Sequence, residues 1–117
     1  MSVNESIIGP KAFDFAVRIV KLNKLLVNER KEYILSKQLL RSATSIGANV
    51  SEGQYAQSKP DFCSKMNIAL KEAGETEYWL KLLYATEIIS KKEYDSLNED
   101  LTPIIKILIK IVQNSKQ

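Results

Sequence analysis

Apolar residues recur at three- and four-residue steps in four separate stretches of the chain, the spacing that gathers side chains on one stripe of an α-helix. In the first stretch, from Pro10 to about Val27, the stripe is Ala12, Phe15, Ala16, Ile19, Leu22 and Leu26. Pro10 suits a first helical turn, where its missing N–H has no partner to lose. A polar link around Asn28 to Arg30 leads to a second stretch, predicted as helix over about 31–55, with Tyr33, Leu39, Leu40, Ala43, Ile46, Gly47 and Val50 on its apolar side. A helical glycine costs about 1 kcal/mol relative to alanine. Gly47, beside Ala43 and Ala48, therefore points to close approach by a neighbouring helix.

The third and fourth stretches have marked beginnings. Ser58 followed by Asp61, with Pro60 between them, can satisfy free N-terminal amides and start a helix over about 59–86. Its predicted stripe is Phe62, Met66, Leu70, Ala73, Leu80 and Tyr84, interrupted by Glu77. Ser90 and Glu93 repeat the capping pattern and open a helix over about 91–114, along which Tyr94, Leu97, Leu101, Ile104 and Leu108 recur. Pro103 falls in its interior and is expected to kink or split it. Beyond Pro103, Ile105, Ile107, Ile109 and Val112 add to Ile104, Leu108 and Ile111 and take the apolar surface most of the way round the helix. A helix apolar on nearly all sides must be buried on nearly all sides, so Ile105, Ile107, Ile109 and Val112 are the expected contact between copies of a homo-oligomer.

Four helices on short links pack most simply as an antiparallel up-down-up-down four-helix bundle, an all-α fold. At 117 residues the chain has material for a single domain spanning 1–117. No apolar run approaches the roughly 20 residues that cross a bilayer, and no secretory pattern opens the sequence. The expectation is a cytoplasmic protein without a membrane partner.

Composition narrows the chemistry. The chain has no histidine, so the usual general base near neutral pH and the commonest metal ligand are missing. Its single cysteine, Cys63, reads as a small buried apolar residue, with no second thiol for a disulfide or zinc site. Glu72, Glu75 and Glu77 invite comparison with the carboxylate metal sites of ferritin-like bundles. Those sites pair glutamate with histidine at fixed spacing, so no metal site and no cofactor are expected. Nucleophilic triads and phosphate-binding glycine loops are equally absent. The chain is expected not to be an enzyme.

Two sets of polar residues remain. Folding the second and third helices back on each other about Gln57 brings Arg41 near Glu75 and Gln38 near Glu77. Ser42, Ser45, Asn49 and Glu52 extend the same face of the second helix. This seam of Gln38, Arg41, Ser45, Asn49, Glu52, Glu75 and Glu77 has two readings. It either fixes helix register with paired charges or presents a contact surface for a ligand. The net charge of +3 predicts no nucleic-acid partner on its own. The placement of the basic residues does more: Lys11, Arg18, Lys21 and Lys24 lie on the first helix, Arg30 and Lys31 on the first link, and Lys106, Lys110 and Lys116 at the end of the fourth. Repeated in an oligomer, such strips multiply phosphate contacts, so RNA or DNA binding with little base readout is the leading functional expectation. A protein-binding scaffold, docking a partner through the apolar C-terminal helix or the polar seam, is the alternative.

The run QLLRSATSIGANVSEG from Gln38 to Gly53, followed by SKPDFCSKMNIALKEAGETEYWL from Ser58 to Leu80, resembles the four-helix bundle family of proteins encoded in intervening sequences of bacterial 23S ribosomal RNA genes. The resemblance implies a bacterial cytoplasmic protein without assigned catalytic activity. It also implies a homopentameric ring, like that of the similar accessory variability determinant protein of diversity-generating retroelements, a relative associated with nucleic acid. Arg41, Ser45, Asn49, Glu52 and Glu75 carry the family signature.

Overall fold

The computed structural model describes residues 2–115. Four helices account for nearly all of them: α1 (Val3–Asn28), α2 (Leu35–Gln54), α3 (Lys59–Ala85) and α4 (Lys91–Ser115). Each packs on its neighbours in the order α1–α2, α2–α3, α3–α4 and α4–α1, and α1 and α3 face each other only across the core, as do α2 and α4. Short links at 29–34, 55–58 and 86–90 turn the chain back each time, so the four-helix bundle is the one expected.

The helix boundaries show which local signals act. α1 starts well before Pro10. Ser2 Oγ accepts the Glu5 N–H at 3.1 Å and the Glu5 carboxylate accepts the Ser2 N–H at 3.3 Å, a reciprocal cap that satisfies two free donors. Pro10 therefore sits inside the helix rather than in its first turn. It is tolerated there because Ile8 and Ala12, both fully buried, hold this part of α1 on the core. α2 starts later than expected, because Lys31 adopts a left-handed φ of 56° and ends the preceding segment. The Glu32 carboxylate then accepts the N–H groups of Ile34, Leu35 and Ser36 at 2.8–3.1 Å and acts as the cap. Tyr33, expected on the apolar side of α2, lies in this link and is exposed.

α3 and α4 begin where their caps predict. Ser58 Oγ accepts the Asp61 N–H at 3.2 Å, although the Asp61 carboxylate takes the N–H of Gln57 rather than that of Ser58. Ser90 and Glu93 make both halves of the exchange, at 3.1 and 2.8 Å. Pro103 does not split α4, which runs unbroken to Ser115. The carbonyl left without its donor belongs to Glu99, an exposed residue where water can serve instead.

Two core expectations change. On α3 the buried line is Met66, Ala69, Ala73, Thr76, Leu80 and Leu83, with Phe62, Leu70 and Tyr84 at its edges; Glu77 is exposed and interrupts nothing. On α4, one bundle does cover the C-terminal apolar residues. Val112 is in the core with Ile104, Leu108 and Ile111, Ile105 and Ile107 are half-buried against it, and only Ile109 is exposed, at 39%. The surplus of apolar surface that called for a subunit contact at Ile105, Ile107, Ile109 and Val112 is therefore confined to one side chain.

Candidate functional site

Three surfaces carry the residues singled out above: the α2–α3 seam, the edge between α1 and α4, and the outward side of α1. At the seam, Arg41 reaches from α2 to two carboxylates one turn apart on α3. Its Nη1 donates to Glu72 Oε2 at 3.1 Å and its Nη2 to Glu75 Oε1. Trp79 Nε1 donates to the same Glu75 oxygen at 3.3 Å. The Arg41 guanidinium holds the Glu75 carboxyl below the usual carboxylate range, with desolvation opposing and Trp79 assisting. Deeper in, Thr76 donates to Ser42 Oγ at 2.9 Å and Ser42 donates to the Leu39 carbonyl at 3.3 Å. Ser42 and Thr76 are both fully buried.

At the far end of the seam Glu52 pairs with Lys65 at 3.1 Å. Asn49 turns inward along its own helix and donates to the Ser45 carbonyl at 2.8 Å. Gln38 and Glu77 are not joined by a hydrogen bond among the described residues, because Glu77 lies on the exposed side of α3. The partner on the core side is its neighbour Thr76, whose place on the buried stripe could have been read from its spacing with Ala69, Ala73 and Leu80. No group of three or more Cys, Asp or Glu among the described residues is arranged to hold a metal ion.

The eight basic positions divide into two kinds. Arg18 and Arg30 are occupied. Arg18 Nη1 donates to Asp100 Oδ2 at 2.7 Å and to the Ser96 carbonyl at 3.1 Å, while Nη2 donates to Ser96 Oγ at 2.8 Å. Arg30 grips Glu93 with both nitrogens, at 3.0 and 2.8 Å, and the Ile88 carbonyl at 2.8 Å. That grip holds the Glu93 carboxyl below its ordinary range, with burial opposing and the capping bonds from Ser90 assisting. Both arginines tie α1 and its link to α4. By contrast Lys11, Lys21, Lys24, Lys31, Lys106 and Lys110 are exposed, with no ion pair among the described residues. The antiparallel register set by Arg18 against Ser96 and Asp100 puts Lys11 at about the level of Lys106. Lys116 lies outside the described residues.

The outward side of α1 was not anticipated. Phe13, Val17 and Val20, spaced i, i+4, i+7, are 68%, 39% and 38% exposed. The sequence signal was present: α1 has apolar residues on the side opposite its main stripe, and reading only the stripe passed over them. Ile68 on α3 is also exposed, at 39%.

The arrangement is similar to that of a solved protein of unknown function from the S23 ribosomal protein family of Bacteroides thetaiotaomicron VPI-5482. The two share 56% sequence identity and superpose with a TM-score of 0.93, over 95% of this chain and 99% of that one. Comparison with curated proteins gives no match. The family model described as 23S rRNA-intervening sequence protein matches residues 4–110, which takes in all four helices. With nearly the whole bundle inside that match, the chain belongs to the 23S rRNA-intervening sequence protein family.

Proposed function

We propose that the protein is a non-catalytic accessory protein that binds the phosphates of RNA or DNA through basic helix faces, several copies acting together. The observation that carries this reading is the set of six exposed lysines, Lys11, Lys21, Lys24, Lys31, Lys106 and Lys110, which have no carboxylate partner among the described residues. Unpaired ammonium groups keep their charge available to phosphate. Arg18 and Arg30 support the fold instead, since a phosphate would first have to displace Asp100 or Glu93.

A few lysines give one copy only a small electrostatic attraction, and a homo-oligomer, a pentameric ring in the form the family resemblance implies, multiplies it. The setting of this reading is the bacterial cytoplasm, and it needs no cofactor. The scaffold alternative loses ground on both of its surfaces. The apolar residues of α4 are largely inside the bundle, and the seam's buried hydroxyls and Arg41 already have partners within the chain.

Fluorescence anisotropy with labelled single- and double-stranded RNA and DNA tests the proposal. Binding that weakens steeply as salt rises, and that weakens further in a Lys11→Glu, Lys106→Glu variant, is the expected result. No binding to any of these at low salt would overturn it.

A further inference from the structure

We propose that the outward side of α1 is a contact between copies of this chain, seated on the α3–α4 side of the next copy. The inference rests on the oligomer part of the function proposed above and moves the contact from the C-terminal helix to the first.

α1 is apolar on two opposite sides. One side, with Ile8, Phe15, Ile19 and Leu26, is buried in the bundle, and the other carries Phe13, Val17 and Val20 in solvent. Seven residues separate Phe13 from Val20, so the exposed ridge is roughly 10 Å long. Beside it α2 offers no large side chain: Thr44, Gly47, Ala48 and Ser51 floor a groove of about 580 Å³ with Phe13 at its rim. A ridge of this kind, left in water, is the usual mark of a docking surface.

A second copy is the occupant that the rest of the molecule favours. Across the core, where α1 has no direct contact, a groove of about 560 Å³ runs between α3 and α4, lined by Pro60, Cys63, Asn67 and the exposed Ile68. The stack of Tyr84 on Tyr94, with ring centroids 4.8 Å apart, sets an antiparallel register that brings exposed Ile109 to about the level of Ile68. The chain thus bears two unlike apolar patches on opposite sides, the arrangement that a head-to-tail contact between identical copies requires. A partner of different sequence would use one of them and leave the other wet. Size agrees as well: the bundle measures 45 × 21 × 19 Å, and one long side offers about the 800 Å² per partner of a standard interface.

The test is solution mass by sedimentation equilibrium across the micromolar range, without nucleic acid, on the wild type and on Phe13→Glu and Ile68→Glu. Both substitutions lie at exposed positions, and far-ultraviolet circular dichroism checks that helicity is kept. The wild type should form an assembly of several chains, and each variant alone should fall to the 13.3 kDa of one chain. An equimolar mixture of the two variants should stop at a dimer, because each retains only the face the other needs. A monomeric wild type, or an Ile68→Glu variant that assembles like the wild type, would overturn the proposal. Since no nucleic acid is present, failure here leaves the anisotropy result to judge phosphate binding separately.

Discussion

The α2–α3 and α1–α4 interfaces both join antiparallel helices around the same core, yet they place their polar groups at different depths. Between α2 and α3 the bonded hydroxyls of Ser42 and Thr76 are fully buried, with Arg41 closing the seam at its wet edge. Between α1 and α4 the ties are Arg18 and Arg30, at the edge of the bundle, with side chains 39% and 33% exposed. A slip of one turn, about 5.4 Å, between α2 and α3 would bury two hydroxyls without each other. The same slip between α1 and α4 would leave two long side chains free to find water or another carboxylate. The inner pair thus selects one register, whereas the outer arginines fasten a register that the core packing has already chosen.

Substitutions that separate the two interfaces should differ in size. Thr76→Val keeps the volume but removes the donor to Ser42, and should cost about 1–2 kcal/mol by urea denaturation. Adding Ser42→Ala should recover part of that loss, because both partners are then apolar. Full additivity of the two would break the account of the inner pair. Arg41→Ala should cost about 1 kcal/mol, since a half-exposed guanidinium is screened by water although Glu72 loses its partner. Arg18→Ala should cost less, about 0.5 kcal/mol, with the loss shrinking as salt is added. An Arg18→Ala loss larger than that of Arg41→Ala would reverse the comparison.

Glycine offers a test of similar size on one face of α2. A methyl group at Gly47 would meet Ala12 at an ordinary 3.7 Å, so Gly47→Ala should stabilise by about 0.5–1 kcal/mol through helix propensity alone. At Gly53 the same methyl would come within 2.6 Å of Met66 Cε, and Gly53→Ala should lose that gain as Met66 is pushed aside. Thermal melts of the two variants should move in opposite directions, or at least clearly apart.

Acid should act on both interfaces together, with the smallest effect per site. Glu75 and Glu93 are each held below the ordinary value of 4.5 by an arginine. Because their carboxyls bind protons less readily folded than unfolded, the stability they contribute is complete above that value and is lost as pH falls through their lowered folded-state values. Glu75→Gln and Glu93→Gln should each flatten the acid limb of a stability–pH curve, and a limb unchanged in both would count against these pairs.

Much of this bundle was legible along the chain because its signals are local. The caps at Ser58 and Ser90 need only a side chain three residues away, and both open helices where their spacing says. The pairing of Arg41 with Glu75 followed from simple back-folding about Gln57. The Glu32 cap was hidden because its three bonds depend on Lys31 taking a left-handed turn, which side-chain pattern does not report. Arg18 and Arg30 read as free charge, since their partners at Asp100 and Glu93 stand far along the sequence and meet them only after α4 has packed on α1.

What the residues determined alone is the number of helices, where two of them start, and which stripe of α1 faces inward, all consequences of spacing within a few turns. Whether Ile105, Ile107 and Val112 would be covered, whether Phe13 would be left in water, and which lysines would keep their charge unpaired were decided by the tertiary structure. Burial and ion pairing belong to surfaces brought together from distant parts of a chain, and no periodicity within one helix says how wide a stripe its neighbours will cover.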